Sequence, residues 1–224
     1  MVKRLFDIVF SLLAVVVFSP VFIVVAIAIV LTSPGPILYS ATRAGVNGKP
    51  FVMHKFRTMY VAHGQASKIT ALHDNRVFPV GALLRRVKID ELPQLFDILV
   101  GNMSIVGPRP EDITIVKHHY KEVDMSTLSV RPGLASPGSI FNYTHSRDYL
   151  DDENPEASYL NKLLPVKLAI ERVYIENQSF WYDIKIILRT IKVIIQTIIG
   201  VTEFKDPWEL KQAYMQAYIE GKKN

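Results

Sequence analysis

The sequence contains no cysteine. This absence excludes disulfide bonds, thiolate nucleophiles and zinc sites built on sulfur ligands, so no part of the chain depends on an oxidising compartment. Exposure to the cytosol is compatible with that composition. Histidine offers no clear metal site either, because His63 and His73 are too far apart to form a pair on one helix. We expect neither these two nor His118, His119 and His145 to bind metal.

Motifs for nucleic-acid binding are also lacking. The formal net charge is +5, which suits nucleic acid, anionic lipid or nucleotides as partners. Because no recognisable nucleic-acid motif accompanies this charge, we expect no nucleic-acid partner. The chain has 224 residues and is 49% hydrophobic against 21% charged, which is more apolar than an ordinary soluble domain. One domain joined to a membrane element is the expected layout.

One long apolar run extends from Ile8 to Leu31. A helix of about 24 residues measures about 36 Å, which is enough to cross a bilayer. A signal peptide is the weaker interpretation, because no small-x-small cleavage site followed by polar sequence appears. Pro20 interrupts the run and leaves the Val16 carbonyl without its helical donor. We expect a kink there, with the Ser19 hydroxyl available to satisfy the freed backbone groups.

Basic residues flank this run on both sides, at Lys3 and Arg4 before it and at Arg43, Lys49, Lys55 and Arg57 after it. A helix that spans a membrane is expected to have one basic side. A re-entrant helix, which enters and leaves by the cytoplasmic face and turns at Ser19 and Pro20, accounts for both flanks. A simple proline-kinked spanning anchor stays open as the alternative.

The dipeptide Asn47-Gly48 lies between two apolar runs and predicts a β-hairpin. In the second strand, the alternation of side chains puts Lys55 and Arg57 on one face and His54 on the other. Two cations side by side suit phosphate binding. A solvated strand face is the other interpretation of the same pattern.

Two adjacent carboxylates, Asp90 and Glu91, follow a basic stretch that begins at Arg85. Neighbours on a helix diverge by about 100°, so the two acids are better suited to separate tasks than to sharing a proton. One can attack a substrate and the other can hold a metal. Pro93 fits the first turn of a helix, which places the pair near a helix N-terminus where anions are favoured. An ordinary acidic N-cap is the alternative.

Two proline-rich loops each contain an arginine. Arg109 lies between Pro108 and Pro110, and Arg131 precedes Pro132. A stiff loop has little conformational freedom to lose, so an arginine held there suits bidentate binding of phosphate. Arginine next to proline also occurs in plain turns, which leaves that interpretation open.

Two helices are expected at the C-terminal end. Ser179 is a suitable N-cap for a helix over residues 180–199, and one polar stripe runs along it through Tyr182, Lys185, Arg189, Lys192 and Gln196. This pattern favours a helix that lies at a membrane surface. Asp206-Pro207-Trp208-Glu209 indicates a second helix start, with Trp208, Tyr214 and Tyr218 at the interface. A helix packed on the domain core is the alternative, and both interpretations can hold for different faces.

Together, these features resemble the bacterial sugar transferases, the small monotopic polyprenyl-phosphate phosphoglycosyl transferases. The resemblance runs from about Lys3 to Ile199 and rests on the ordered motifs, which are Ser19-Pro20, Lys55-Phe56-Arg57-Thr58-Met59, Asp90-Glu91-Leu92-Pro93-Gln94, Val106-Gly107-Pro108-Arg109-Pro110 and Arg131-Pro132-Gly133-Leu134. Two departures are the sequence Ala135-Ser136-Pro137-Gly138 in place of the commoner Thr-Gly form, and the long acidic segment 141–164. Both bear on the sugar that is bound.

The resemblance implies an α+β fold with a re-entrant membrane helix (residues 1–33), a mostly helical catalytic domain with a small hairpin (34–178) and amphipathic interfacial helices (179–224). It implies transfer of phospho-sugar from a UDP-sugar to a polyprenyl (undecaprenyl) phosphate, the first membrane step of bacterial glycan assembly. Asp90 would be the nucleophile, and Asp90 and Glu91 would hold Mg²⁺. Substrate phosphate would be bound by Lys55, Arg57, Arg86, Arg109 and Arg131.

The expected location is the cytoplasmic face of the bacterial inner membrane, in contact with membrane lipids, and a homodimer stays open. Two other function classes are compatible with the residues alone. A non-enzymatic, membrane-tethered binding module would use Asp90 and Glu91 as a helix cap. A metal-dependent lipid phosphatase would release inorganic phosphate instead of UMP. Release of UMP from UDP-sugars distinguishes all three.

Overall fold

The computed structural model describes residues 2–61 and 74–221, so His63 and His73 lie outside the described residues. The α+β expectation is confirmed. The helices are α1 (Val2–Thr32), α2 (Pro79–Arg86), α3 (Gln94–Val100), α4 (Ile113–His119), α5 (Pro137–Tyr149), α6 (Pro155–Ser158), α7 (Leu164–Glu176), α8 (Phe180–Ile198) and α9 (Trp208–Gly221). The strands are β1 (Leu38–Ala44), β2 (Pro50–Phe56), β3 (Ser104–Val106) and β4 (Gly133–Ala135). Short 3₁₀ segments occur at Val46–Gly48, Ile89–Glu91 and Glu122–Leu128.

Helix α1 is continuous through Pro20. Because proline has no N–H, the Val16 carbonyl needs another donor, and the Ser19 hydroxyl donates to it at 2.8 Å. The expected role of Ser19 is thereby confirmed. Val16 and Val17 are well exposed, as are most apolar side chains of the helix. By length and composition alone, α1 can cross a membrane.

The beginning of α1 contacts the folded domain through polar groups. Arg4 donates to the carbonyl oxygens of Ile98 and Leu99, at 2.6 and 2.9 Å, in the last turn of α3, where carbonyls lack the i+4 donors of a continuing helix. The buried Asp7 carboxylate accepts from the Ser104 hydroxyl at 2.9 Å and from the Ile105 backbone N–H at 3.1 Å. These contacts fix the first turns of α1 against α3 and β3.

The end of α1 contacts the same domain. Val25 and Ile29 are buried in an apolar cluster with Phe56, Phe78 and Leu84. Just beyond the helix, the backbone carbonyl of Ser33 accepts from the Arg57 guanidinium at 2.5 Å. Both ends of the apolar helix are therefore held by one domain.

Strands β1 and β2 form the antiparallel hairpin that Asn47-Gly48 predicts. Asn47 and Gly48 both adopt positive φ angles, 54° and 72°, which a tight turn of this kind requires. Tyr39 lies directly opposite Lys55 in the register. The hairpin places Lys55 at the edge of the domain core, where its side chain can reach the acidic pair.

Helix α8 has one face buried against the domain and another that exposes apolar side chains. Asp183, Ile186 and Val193 are buried against the domain, which agrees with a packed helix. Large apolar side chains on another face are exposed, namely Trp181, Leu188, Ile191, Ile195 and Ile198. Ser179 caps the helix by accepting from the Tyr182 backbone N–H at 3.2 Å. Packing on the domain is therefore confirmed for one face, and contact of the exposed apolar face with a membrane surface stays a prediction.

The last helix begins at Trp208, where the sequence predicts a helix start. The Glu209 carboxylate in its first turn is fully buried and accepts hydrogen bonds from the Tyr182 hydroxyl at 2.6 Å and from Arg189 at 3.1 Å. The ion pair joins the first turn of α9 to α8, while α9 packs against α7. Arg189 is therefore paired within the protein and is not part of the solvent-facing polar stripe that the sequence predicts.

The short parallel pair β3 and β4 was not foreseen from the sequence. It aligns Ser104 with Gly133 and Val106 with Ala135, so the two proline-rich loops start side by side. The backbones are very close, because a Cβ atom added to Gly133 would lie 2.1 Å from the Gly107 nitrogen. Glycine is required where the two backbones meet, and the loop that contains Arg109 begins at this point.

We expect Gly133→Ala to lower the free energy of unfolding by about 2 kcal/mol or more, because rigid backbone atoms cannot make room for the methyl group. Thermal or denaturant unfolding of the detergent-solubilised protein measures this. The exposed Val123→Ala variant is the control and is expected to stay within about 0.5 kcal/mol of the unmodified chain. A neutral Gly133→Ala result would contradict the close approach of β3 and β4.

Candidate active site

The acidic pair lies in a strained turn between α2 and α3. Lys88 has a left-handed backbone (φ 60°), which is costly for a residue with a Cβ atom. The 3₁₀ turn Ile89–Glu91 follows directly, and Pro93 precedes α3. The expectation that the pair lies near a helix N-terminus is confirmed. This arrangement buries both Asp90 and Glu91.

Glu91 is surrounded by cations. Its Oε1 atom accepts from the Lys55 ammonium at 2.8 Å and from the Arg109 guanidinium at 3.0 Å, and the Lys88 ammonium is 4.0 Å away. Burial disfavours the charged form, but the charges of Lys55, Arg109 and Lys88 outweigh it and hold the pKa of Glu91 well below its usual range. Glu91 is therefore a carboxylate at neutral pH.

The two main partners respond differently to this contact. Burial lowers the pKa of Lys55 to about 8, even though Glu91 favours its charged form. The charge of Glu91 raises the pKa of Arg109, which remains a cation at any relevant pH. Lys55 is therefore mostly protonated at pH 7 and loses its charge as the pH rises through 8.

Asp90 has the opposite environment. Its Oδ1 atom is buried and has no hydrogen-bond partner among the described residues. Burial, followed by the charge of Glu91, raises the pKa of Asp90. A carboxylate with a raised pKa is more basic and hence a better nucleophile once it is ionised. The two neighbouring acids thus differ: Glu91 is an anion bound by cations, whereas Asp90 has an oxygen without a partner among the described residues.

These residues fit a hard divalent cation in part. Asp90 and Glu91 offer carboxylate oxygens, and one buried oxygen of Asp90 has no partner among the described residues. Within residues 2–61 and 74–221, no three histidine or acidic side chains converge on a metal position. Mg²⁺ commonly takes one or two carboxylates and completes its shell with water and substrate phosphates. The donor set therefore suits a metal that arrives with a phosphorylated substrate.

Arg85 contributes to the site, and sequence reasoning selected Arg86 in its place. The charge of Arg85 acts on Asp90, and burial lowers the pKa of Arg85 itself. Arg86 is exposed and approaches the carbonyls of Thr197 and Ile198 at 3.4 and 3.5 Å. Helical spacing could have indicated Arg85, because it is four residues after the buried Gly81 and so lies on the inner face of the amphipathic helix α2.

Two other predicted phosphate ligands have their guanidinium groups engaged elsewhere. Arg57 is buried, and its nitrogens donate to the hydroxyl and carbonyl of Ser33 and to the carbonyl of Pro36, at 2.5 to 2.6 Å. Arg131 donates to the Gly101 carbonyl at 2.8 Å, at the end of α3. Both arginines satisfy carbonyl groups at helix ends, so this arrangement does not place them beside the acidic pair.

Comparison with known proteins assigns the family. A family model described as bacterial sugar transferase matches residues 1–197. The chain belongs to the bacterial sugar transferase family. This assignment confirms the resemblance drawn from the ordered motifs, and the match includes α1 and almost all of α8. Helix α9 lies beyond the matched residues.

Three curated relatives represent the similarity. The UDP-glucose:undecaprenyl-phosphate glucose-1-phosphate transferase of Escherichia coli is 34% identical over 194 residues, which are 85% of this chain and 39% of the relative. The corresponding Caulobacter vibrioides enzyme is 34% identical over 198 residues, 87% of this chain and 70% of the relative. An Aeromonas hydrophila UDP-N-acetylgalactosamine-undecaprenyl-phosphate N-acetylgalactosaminephosphotransferase is 34% identical, over 87% of this chain and 44% of its own length. The chain spans about two fifths of the first relatives.

The two acids should respond differently to loss of charge. We expect Glu91→Gln to lower the free energy of unfolding by about 3–5 kcal/mol at pH 7, because Lys55 and Arg109 would remain buried without their anion. Asp90→Asn should leave stability unchanged or raise it. The raised pKa means that ionised Asp90 costs stability above that pKa, and a neutral amide removes this cost. Denaturant unfolding of both variants measures the contrast, and equal losses would contradict it.

Proposed function

We propose that this protein transfers a phospho-sugar from a UDP-sugar to polyprenyl phosphate, with release of UMP. The observation that carries the proposal is the asymmetric pair. One buried oxygen of Asp90 has no partner among the described residues, whereas Glu91 is held as an anion by Lys55 and Arg109. Membership of the bacterial sugar transferase family and the names of the relatives support the substrate classes. The products would be polyprenyl diphospho-sugar and UMP.

Asp90 acts as the nucleophile in this proposal. A carboxylate oxygen of Asp90 attacks the phosphorus that bears the sugar, and the bond from that phosphorus to the bridging oxygen of UMP breaks. UMP leaves with the electron pair, and an aspartyl phospho-sugar remains. Because donor and acceptor are both anions, splitting the transfer into two steps avoids bringing them together directly. A phosphate oxygen of the lipid then attacks the same phosphorus and releases the Asp90 carboxylate.

Cations of the chain stabilise the charge that develops on the diphosphate. Lys55 and Arg109 already contact Glu91, and preorganised charges of this kind need no reorganisation during the reaction. Asp90 and Glu91 would hold Mg²⁺, which supplies further neutralisation of phosphate charge when bound. Arg85 and Lys88 extend the positive environment around Asp90. The site is thus suited to an anionic donor.

The location proposed for this reaction is the cytoplasmic face of the bacterial inner membrane. The acceptor phosphate lies at the level of the lipid headgroups, so the site must lie there too. Exposed apolar side chains on α3 and α8 support contact with lipid, namely Phe96, Val100, Leu188, Ile191, Ile195 and Ile198. We propose residues 1–33 as the membrane helix, 34–178 as the catalytic domain and 179–224 as the interfacial helices.

The contacts of α1 support a re-entrant helix. Lys3 forms an ion pair with Asp183, while Ser33 at the other end binds Arg57. A helix that crosses the membrane separates its ends by a hydrocarbon core of about 30 Å. One water-soluble domain cannot hold both ends of such a helix on the same side. We therefore propose that α1 enters and leaves by the cytoplasmic face.

Trapping of the intermediate tests the proposed function. Incubation with a UDP-sugar, Mg²⁺ and no lipid acceptor should release UMP and add the mass of one phospho-sugar to the protein. Asp90→Asn should abolish both signals because an amide cannot form the acyl phosphate. Glu91→Gln should raise the Mg²⁺ concentration that turnover requires. Intact mass spectrometry and assay of UMP measure these effects.

The matched control for this experiment is Asp124→Asn. Asp124 is another buried carboxylate, which pairs with Arg172 on α7 and contacts neither member of the acidic pair in the described structure. It should keep the adduct. In a parallel incubation with polyprenyl phosphate added, release of inorganic phosphate in place of UMP would favour a lipid phosphatase, and the absence of both products would favour a binding module. UMP release by sequential kinetics without any adduct would contradict the covalent intermediate.

Topology can be tested on the same cysteine-free chain. With Lys3→Cys or Lys49→Cys, both thiols should react only with reagents that reach the cytoplasm. Ser19→Ala combined with Pro20→Leu restores the backbone hydrogen bond that Pro20 removes from an apolar helix of about 36 Å, which favours a straight, spanning helix, and the flanking basic residues then compete for the inside. We expect a mixed population with some Lys3 ends outside, together with reduced activity.

Labelling of Lys3→Cys by an impermeant reagent on intact cells, in the background with Ser19 and Pro20 unchanged, would show that the helix spans. The re-entrant arrangement would then be wrong, and the lipid-facing location of Asp90 would need another explanation. Lys49→Cys is the internal control, because the catalytic domain should stay cytoplasmic in either case. Its protection from outside reagents verifies that the cells are intact.

A further inference from the structure

Glu171 on α7 is a buried carboxyl group that the proposed reaction does not use. Only 2% of the residue is exposed. Its Oε1 atom accepts from the Ser136 hydroxyl at 2.6 Å and from the backbone N–H of Arg109 at 3.2 Å. Its Oε2 atom is buried and has no hydrogen-bond partner among the described residues. Burial raises the pKa of Glu171 to about 7.

The contact with Arg109 satisfies a specific need of that loop. Pro108 and Pro110 have no N–H groups, so the N–H of Arg109 is the single main-chain donor in the segment 108–110. A buried donor without a partner is costly, and here the acceptor is a side chain of another helix. The backbone position of Arg109 therefore depends on Glu171.

One turn earlier on α7, a second contact holds the same loop. Lys167 donates to the carboxylate of Glu111 at 2.5 Å and also contacts the Tyr159 hydroxyl. Residues 167 and 171 are four apart and share one face of the helix. Helix α7 thus fixes the loop at Arg109 and at Glu111, on either side of Pro110.

The packing around Glu171 leaves little room for it to move. A Cβ atom added to Gly138, in the first turn of α5, would lie 2.5 Å from its Oε1 atom. Ser136, which Glu171 accepts from, also caps α5 by accepting from the Ser139 N–H at 2.9 Å. The carboxyl group therefore joins α7, the start of α5 and the Arg109 loop at one point.

We propose that Glu171 is a positioning residue for the proposed transfer, and that it acts by holding the backbone of Arg109 so that the guanidinium reaches Glu91 beside Asp90. The path is short, since the Arg109 N–H is 3.2 Å from Glu171 and its Nη2 atom is 3.0 Å from Glu91. This role rests on the proposed function. Glu171 contacts neither member of the acidic pair in the described structure, and the contacts of Arg109 link it to Glu91.

The first experiment is independent of activity. Hydrogen exchange of the detergent-solubilised protein should show faster exchange of the Arg109 amide in Glu171→Leu, because leucine is of similar size and cannot accept a hydrogen bond. A peptide that covers residues 107–110 reports on few amides, since two of its residues are prolines. Asp124→Asn is the control and should leave this peptide unchanged. Unchanged exchange in Glu171→Leu would overturn the proposal whatever the enzyme does.

The second experiment measures kcat and KM for UMP release. Glu171→Leu should lower kcat at least about tenfold with KM within about threefold, because Arg109 acts on charge that develops in the transition state. Glu171→Gln keeps a carbonyl oxygen as acceptor and should stay within about threefold of the unmodified kcat. Gly138→Ala, which pushes on the same carboxyl from α5, should lower kcat as Glu171→Leu does. Thermal unfolding verifies that each variant is folded.

A double-mutant cycle separates positioning from a general structural role. In the Arg109→Ala background, Glu171→Leu should cause no further loss beyond about twofold, since its target is already absent. If the losses in kcat of the two single variants multiplied in the double variant, the proposal would be overturned. Failure of the unmodified protein to release UMP would refute the proposed function instead, and the exchange experiment would still decide whether Glu171 holds the loop.

Discussion

The negative charge of Glu91 is buried, and a buried carboxylate is unstable unless cations replace the water that it has lost. Those cations come from separate parts of the chain. Lys55 is on the hairpin, Arg109 is on the loop after β3, and Lys88 is in the turn that holds the pair. Each element must reach its place before the charge is compensated, so the ion pairs tie the hairpin, the turn and the loop together. Asp90 is positioned as a consequence, because it precedes Glu91 in the chain.

Helix α3 connects this cluster with the apolar helix α1. It begins just after the acidic turn, and its terminal carbonyls accept from Arg4 of α1. The ring of Phe22, near the middle of α1, lies 5.7 Å from that of Phe96 on α3. An apolar helix by itself favours lipid over water, but it does not determine how deep the rest of the protein lies relative to the bilayer. These contacts relate the depth of α1 to the position of Asp90, which is what a reaction with a lipid-bound phosphate requires.

Local patterns in the sequence predicted local structure well. The hairpin at Asn47-Gly48, the cap at Ser179 and the hydroxyl of Ser19 depend on residues close in the chain, where propensity and geometry are known. The sequence selected Lys55 and Arg109 as phosphate ligands, but their contacts with Glu91 were not foreseen. Arg57 and Arg131 show the limit. A guanidinium binds carbonyl oxygens at a helix end as readily as it binds phosphate oxygens, and only the tertiary fold determines which it meets. Glu171 was not predicted from the sequence, because its contacts also depend on the tertiary fold and no local motif marks it.

Several costly features of this structure lie at the acidic pair or at the loop that holds Arg109. Lys88 adopts a left-handed backbone, and Asp90 and Glu171 each keep a buried oxygen without a partner among the described residues. Such costs persist where the surrounding structure determines the geometry and where function benefits. The charges explain the benefit. Lys55, Lys88, Arg85 and Arg109 act on a pair of carboxylates, so positive charge is in excess around Asp90. The anionic diphosphate of the proposed donor would complete that balance, beside the Asp90 oxygen that has no partner among the described residues.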